Sequence, residues 1–303
     1  MKIFLYCFCM MLSLNALSQT ATFPKRGSIT LDLHGDYSKE DFRWSIAGNS
    51  NGQNPNILSE VKWKNLKGYS AGGAIRINVW SQFVLLGNYH KTFIRSGIAT
   101  DTDYAGDNRT NISYHAELNS NEGSAHRYMA SLGYMFTLNK HLSILPLAGY
   151  TFSRQSLFLK GFGNNEDKDY ALLNSTYQTR WEGLVLGVAT NYSFNSKLYL
   201  ETKIDYKQLT YKAVANWNLI DAFAHPISFK HSGNGFEVDF NAKFGIKLSS
   251  QISTFIMGNY FYAETGRGKD QLFLADGQEQ LSQFNGAARK GLTAGVGLRL
   301  NLL

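Results

Sequence analysis

The sequence predicts an all-β fold: a ten-stranded antiparallel β-barrel that crosses a lipid bilayer, with long loops at one end and short turns at the other. Three observations lead there. Over 236–248 the chain alternates without a slip, with Phe236, Val238, Phe240, Ala242, Phe244, Ile246 and Leu248 on one face and Glu237, Asp239, Asn241, Lys243, Gly245 and Lys247 on the other. Successive strand side chains point to opposite faces, so one side of this segment requires an apolar solvent and the other requires water or partners. The pattern recurs over 198–207 and 292–302, in runs about twice the five or six residues usual for soluble strands. Strands of roughly ten residues, apolar on one face and charged on the other, mark a membrane barrel with a polar lumen. The third observation is the order of the connections, which sets the strand number.

Residues 1–18 read as a secretory signal: Lys2 supplies the positive start, 3–14 the short apolar core, and Ala16-Leu17-Ser18 a small-x-small cleavage site. Both cysteines, Cys7 and Cys9, fall inside it, so the mature chain is expected to hold no thiol, disulfide or thiolate-bound metal. No later stretch approaches the roughly 18 consecutive apolar residues of a spanning helix. Residues 19–303 are then expected to be one outer-membrane barrel domain.

Along that domain, short connections at 79–81, 138–140, 195–196 and 249–251 interleave with long polar ones at 47–56, 97–122, 161–176, 218–233 and 266–288. Four turns between five loops require ten strands, with both termini on the side of the short turns, the periplasm. A ten-stranded barrel is only slightly wider than the eight-stranded kind that side chains fill, which excludes a wide diffusion pore. Glu182, Glu201, Lys203, Asp205, Lys207, Glu237, Asp239 and Lys243 are expected to face the lumen and pair across it, because buried charges require partners. Tyr134, Phe136, Tyr192, Phe194, Tyr260 and Tyr262 sit near strand ends and read as interfacial girdles.

Composition narrows the function classes. Aromatics at 14%, 28 Gly and only 4 Pro suit a barrel. Without Lys2 the chain keeps 29 basic against 23 acidic residues, a formal +6, but the excess is spread over strands and loops. A nucleic-acid site concentrates charge on one face, so no nucleic-acid partner is expected; anionic lipid headgroups account better for scattered basic groups. The four Asn-x-Ser/Thr matches carry no weight in a chain read as a bacterial envelope protein. His225 and His231, six apart in a loop without a sulfur ligand, make no convincing zinc site.

Chemistry is sought in the loops, where barrels carry function. Asp101-Thr102-Asp103 opens the second long loop, with Tyr104 and Asp107 behind it. Carboxylates spaced i, i+2 on extended chain share a side, and like charges held close raise one pKa so that the pair can share a proton or a water. The fourth loop holds Asp221, His225, Pro226 and His231; a histidine beside a carboxylate is a base near neutral pH.

Together with the strand count, these clusters resemble the omptin family of outer-membrane proteases along nearly the whole mature chain. The stretch Ile57-Leu58-Ser59-Glu60-Val61-Lys62-Trp63-Lys64 is similar to the family's second strand, Asp101-Thr102-Asp103-Tyr104 to its Asp-x-Asp-aromatic motif, and Ala148-Gly149-Tyr150 with Ser153-Arg154 to the approach to its third loop. The resemblance implies a cleft at the outer mouth in which Asp101 and Asp103 hold the attacking water and His225 acts as base. Omptins orient that histidine with an Asp two residues before it, where this chain has Phe223. Asp221 matches an omptin acidic position associated with substrate recognition and is the candidate substitute. The run from Asn216-Trp217 to His225-Pro226 is similar instead to omptin-like barrels of Bacteroidetes and chlamydia-related bacteria. Two expectations follow: a catalytically silent monomer that binds outer-membrane lipid or an external ligand through its loops, or an endopeptidase acting on peptides. No cofactor is expected beyond lipopolysaccharide as an activating lipid.

Overall fold

The computed structural model of the chain describes residues 27–80, 82–162 and 168–302; the expected signal segment 1–18 lies outside them. Its strands are β1 (Ile29–Ile46), β2 (Ser59–Asn78), β3 (Phe83–Gly106), β4 (Thr110–Asn119), β5 (Gly123–Tyr134), β6 (Phe136–Thr137), β7 (Leu142–Lys160), β8 (Asn174–Ser193), β9 (Leu198–Asn216), β10 (Phe229–Lys247), β11 (Ile252–Thr265), β12 (Gly268–Phe273) and β13 (Glu279–Leu302). Every neighbouring pair is antiparallel, and β1 pairs with β13 from Ile29↔Leu302 to Ile46↔Phe284, which closes the ring and removes the open edges. Strands β4, β5 and β6 together form one wall between β3 and β7, and β12 continues β11 alongside β10 and β13. The ring therefore has the ten walls the sequence predicts.

All four short turns fall where expected, but two of the long loops are not loops. The segment 97–122 continues β3 to Gly106 and returns as β4, and 266–288 contains β12 and the start of β13. Both hairpins rise beyond the bilayer, where water meets the outer face and polar side chains no longer exclude a strand. The tip of the first is a tight turn with Asn108 and Arg109 both at positive φ (57° and 65°), the mirror-image geometry that matches strand twist. Arg109 is held there by a fork onto Glu60, Nη2 donating to Oε1 at 2.8 Å. Among the described residues the 161–176 loop adds a one-turn helix, Lys168–Ala171.

Where the membrane ends is written in a swap of polarity between faces. On β8 the odd-numbered side chains point inward throughout: Tyr177 and Trp181 are buried, while Leu184 and Leu186, of the opposite parity, face outward at 67% and 59% exposure. Above Gly183 the outward positions become Gln178, Arg180 and Glu182, while the inward ones include the aromatic Tyr177 and Trp181. β1 repeats this, with Asp32, His34, Asp36 and Ser38 inside the lower half and Phe42 and Trp44 inside the upper. The apolar outer band below the swap meets lipid; the polar outer band above it meets water. Glu182 is thus corrected: it faces outward, paired with Arg180 at 2.6 Å, because its parity on β8 is the outer one.

The other lumen charges pair inward. Near the periplasmic end Arg299 donates from Nε to Asp32 at 2.6 Å and from Nη1 to Glu201 at 2.6 Å, and Lys243 joins Asp32. Higher up, Lys207 and Arg289 grip Glu237 at 2.6 and 2.7 Å, and Lys203 meets Asp205 at 2.7 Å. Above them lies an aromatic plug of Phe42, Trp44, Trp63, Tyr177, Trp181, Tyr211 and Phe284, with Trp44 stacked on Tyr177 at 5.6 Å and Tyr211 on Phe284 at 5.6 Å. Between plug and ion network is a chamber of about 180 Å³.

Candidate functional site

On top of the plug the upper strands leave a cleft of about 690 Å³ that opens at the extracellular mouth. Its floor and walls are mostly apolar: Trp44, Trp217, Phe223, Phe229, Leu118 and Leu159 line it, and three carboxylates enter it, Asp101, Asp103 and Asp270. Asp101 and Asp103 stand on β3, opposite Val61 and Ser59 of β2, so the pair belongs to a rigid strand rather than to a loop. Their i, i+2 spacing does place both in the cleft.

Asp101 is the more enclosed. Its Oδ2 accepts from Trp217 Nε1 at 3.3 Å. Burial, with the charge of Asp103 adding to it, raises its pKa to about 7, against the smaller opposing effect of the Trp217 hydrogen bond. Asp103 is also raised by burial, less so because Ser59 hydrogen-bonds to it. Near neutral pH Asp101 is therefore partly protonated, so the cleft is lined by a carboxyl that can donate as well as accept. Tyr114, another lining residue, has its hydroxyl 3.4 Å from that of Tyr170, and burial raises its pKa.

The fourth-loop residues are placed differently. His225 is exposed, and its Nδ1 lies 2.7 Å from Asn216 Oδ1. That partner is a neutral amide, so the ring lacks the orienting carboxylate of a histidine–carboxylate pair. Asp221 is exposed and, among the described residues, forms no ion pair with His225. Phe223, two positions before the histidine, turns into the cleft and bridges to Leu274. So Asp101 and Asp103 are brought together, while His225 and Asp221 line neither the cleft nor each other.

Sequence reasoning missed a second histidine–carboxylate pair. His231 on β10 faces Asp270 on β12, Nε2 to Oδ1 3.1 Å, close but off the hydrogen-bond axis. Its Nδ1 is 2.7 Å from the Tyr177 hydroxyl, and the rings of Trp44, Phe229 and Phe284 pack within 5.0 Å of its own. Burial lowers the His231 pKa, although Asp270 works against this. Wrapped in aromatics, His231 packs as a member of the plug. The only sequence cue was its inward parity on β10, which is legible once the strand is known to begin at Phe229.

A closed ring of ten antiparallel walls with a lipid-facing apolar band, short periplasmic turns and a cleft at the outer mouth defines an outer-membrane β-barrel protein of omptin-like architecture. The chain belongs to the Protochlamydia outer membrane protein family, Pom, which it matches over residues 32–302. Among solved structures it is similar to the outer membrane protease OmpT of Escherichia coli, at 14% identity and a TM-score of 0.73, covering 94% of this chain and 99% of that one. It also aligns with the outer membrane protein OprG of Pseudomonas aeruginosa at 8% identity and a TM-score of 0.38, covering 93% and 99% of the two chains. No curated protein matches by sequence. At 14% identity the likeness to OmpT concerns the fold alone.

Proposed function

We propose that this outer-membrane barrel is catalytically silent as a peptidase and holds an external amphipathic, cationic ligand in its mouth cleft. The observation that carries this reading is the orientation of the fourth loop: Phe223 fills the cleft wall while His225 faces solvent on Asn216. Peptide hydrolysis by a carboxylate-held water requires a base within hydrogen-bond reach of that water and an acidic partner to orient it. Among the described residues, no histidine lines the cleft beside Asp101 and Asp103. What they do have is an aromatic surround of Trp44, Trp217 and Phe229. An apolar body would stack on these rings, and a positive group would relieve two carboxyls that burial and mutual repulsion leave poorly stabilised.

The experiment uses the mature chain refolded in detergent with lipopolysaccharide and a panel of dibasic amphipathic peptides. The expected result is binding, read from quenching of tryptophan fluorescence, without cleavage. Trp217→Ala should weaken binding by at least about tenfold, as removal of a central aromatic anchor does. Cleavage that disappears in Asp101→Ala or His225→Ala would overturn the reading and restore the endopeptidase.

A further inference from the structure

We propose that the barrel interior binds one divalent transition-metal ion through His34, Asp36 and His90, with Zn²⁺ as the probe. His34 and Asp36 share the inward parity of β1, and His90 is inward on β3. Both histidines lie in one register row with Gly72 of β2 between them. The donor atoms all lie within 4.8 Å of one another. His34 Nδ1 is 2.7 Å and His90 Nε2 3.1 Å from the same Asp36 oxygen, Oδ2, and the two imidazoles are stacked at 5.7 Å. Ligands at about 2.1 Å from a tetrahedral ion stand roughly 3.4 Å apart, so small rotations of these rings would complete a three-ligand shell with an open position for water.

Three independent features mark the cluster as a built site. The first is charge. Asp32, Glu201, Asp205 and Glu237 each meet a Lys or Arg in the lumen, but among the described residues Asp36 meets only imidazoles, which carry no charge when neutral. The second is an orphan: the other carboxyl oxygen of Asp36, Oδ1, is buried with no hydrogen-bond partner among the described residues, a cost that a cation on the carboxylate would offset. The third is space. A Cβ on Gly72 would fall 2.5 Å from His34 Cε1 and 2.6 Å from Nε2, and one on Gly295 would collide with Asp36 Oδ1. Glycine at both positions clears the volume the three side chains use. The two histidines also line the lumen chamber, which gives the open ligand position room for water. Two imidazoles and one carboxylate suit a first-row divalent ion such as Zn²⁺, Co²⁺ or Ni²⁺ rather than Ca²⁺ or Mg²⁺.

The test refolds untagged mature chain in detergent with and without excess Zn²⁺, because the plug and the ion network close the chamber once the barrel has formed, and then removes free metal with chelator. Chain refolded with Zn²⁺ should retain one Zn²⁺ per chain, and refolding with Co²⁺ should produce visible d–d absorption. His34→Gln and His90→Gln should each weaken Zn²⁺ binding by at least tenfold, whereas His115→Ala, on the exposed outer hairpin, should not. Absence of Zn²⁺ binding, or equal binding by the two Gln variants and the parent, would overturn the proposal. Should the Gln variants fail to fold, X-ray absorption on the Zn²⁺-loaded parent decides: a first shell with two imidazoles supports the site, and an all-oxygen shell overturns it.

Discussion

Asp101 sits where two requirements conflict. Its place on β3 keeps it 8% exposed among aromatics with Asp103 two residues away, so ionisation is costly in the folded barrel and free of cost in the unfolded chain. Because the folded pKa is raised, from 3.8 to about 7, the unfolded state releases its proton first as pH rises. The contribution of Asp101 to stability is full below pH 4, falls between pH 4 and 7, and stays lost above. A tenfold difference in proton affinity is worth about 1.4 kcal/mol, which sets a ceiling of roughly 4 kcal/mol on that loss. Asp101→Asn keeps an acceptor for Trp217 and never ionises. It should match the parent near pH 4 and exceed it by up to that ceiling at pH 8, measured from urea midpoints in micelles. Equal midpoints at both pH values would mean that Asp101 is hydrated, not buried.

At the scale of single strands, β10 lets the lipid face be tested by depth. Phe240 faces outward at 44% exposure in the middle of the apolar band, and Leu248 lies just past the periplasmic end of the strand. An arginine at the bilayer midplane costs about 2–4 kcal/mol and one at the interface about 0–1. Phe240→Arg should therefore destabilise the barrel by several times more than Leu248→Arg in folding titrations with lipid vesicles; equal costs would mean that the outer face of β10 is not immersed. This strand also marks what the sequence could reveal. Within the bilayer, lipid imposes opposite polarities on the two faces, so alternation, strand count, turns and inward charges were all legible. Above the bilayer water bathes the outside, the contrast disappears, and β4 and β12 read as loops. The same loss hid the aromatic plug: Phe42 and Trp44 alternate with Asp41 and Arg43, but with the faces exchanged relative to Leu31, Leu33 and Asp32 below. At the cleft, the local spacing of Asp101 and Asp103 sufficed to place them together. The distance between His225 and Asp221 depends on a loop path that no period governs, and the His34–Asp36–His90 cluster on a register between β1, β2 and β3 that a single sequence does not state.

The whole molecule is a cylinder stopped at two levels. The lower stop joins β1, β9, β10 and β13 through Asp32, Glu201, Lys243 and Arg299, and the upper is the plug from Phe42 to Phe284. Ten strands enclose little more space than side chains of this size fill, and the lumen holds only small cavities, one of about 180 Å³ between the stops and one of about 110 Å³ against the lower stop. Ion passage would require separating Arg299 from two carboxylates at 2.6 Å and parting stacked aromatics at once. Breaking one partner from a buried pair costs about 3–5 kcal/mol, so spontaneous opening is rare. In planar bilayers the protein should give a flat baseline at moderate voltage, with no steady ohmic steps. Arg299→Met should lower the urea midpoint without opening a channel, because the aromatic stop above it remains. Porin-like steps in the parent protein would show the lumen to be continuous and would remove the physical basis for treating the mouth cleft as a closed-ended binding site.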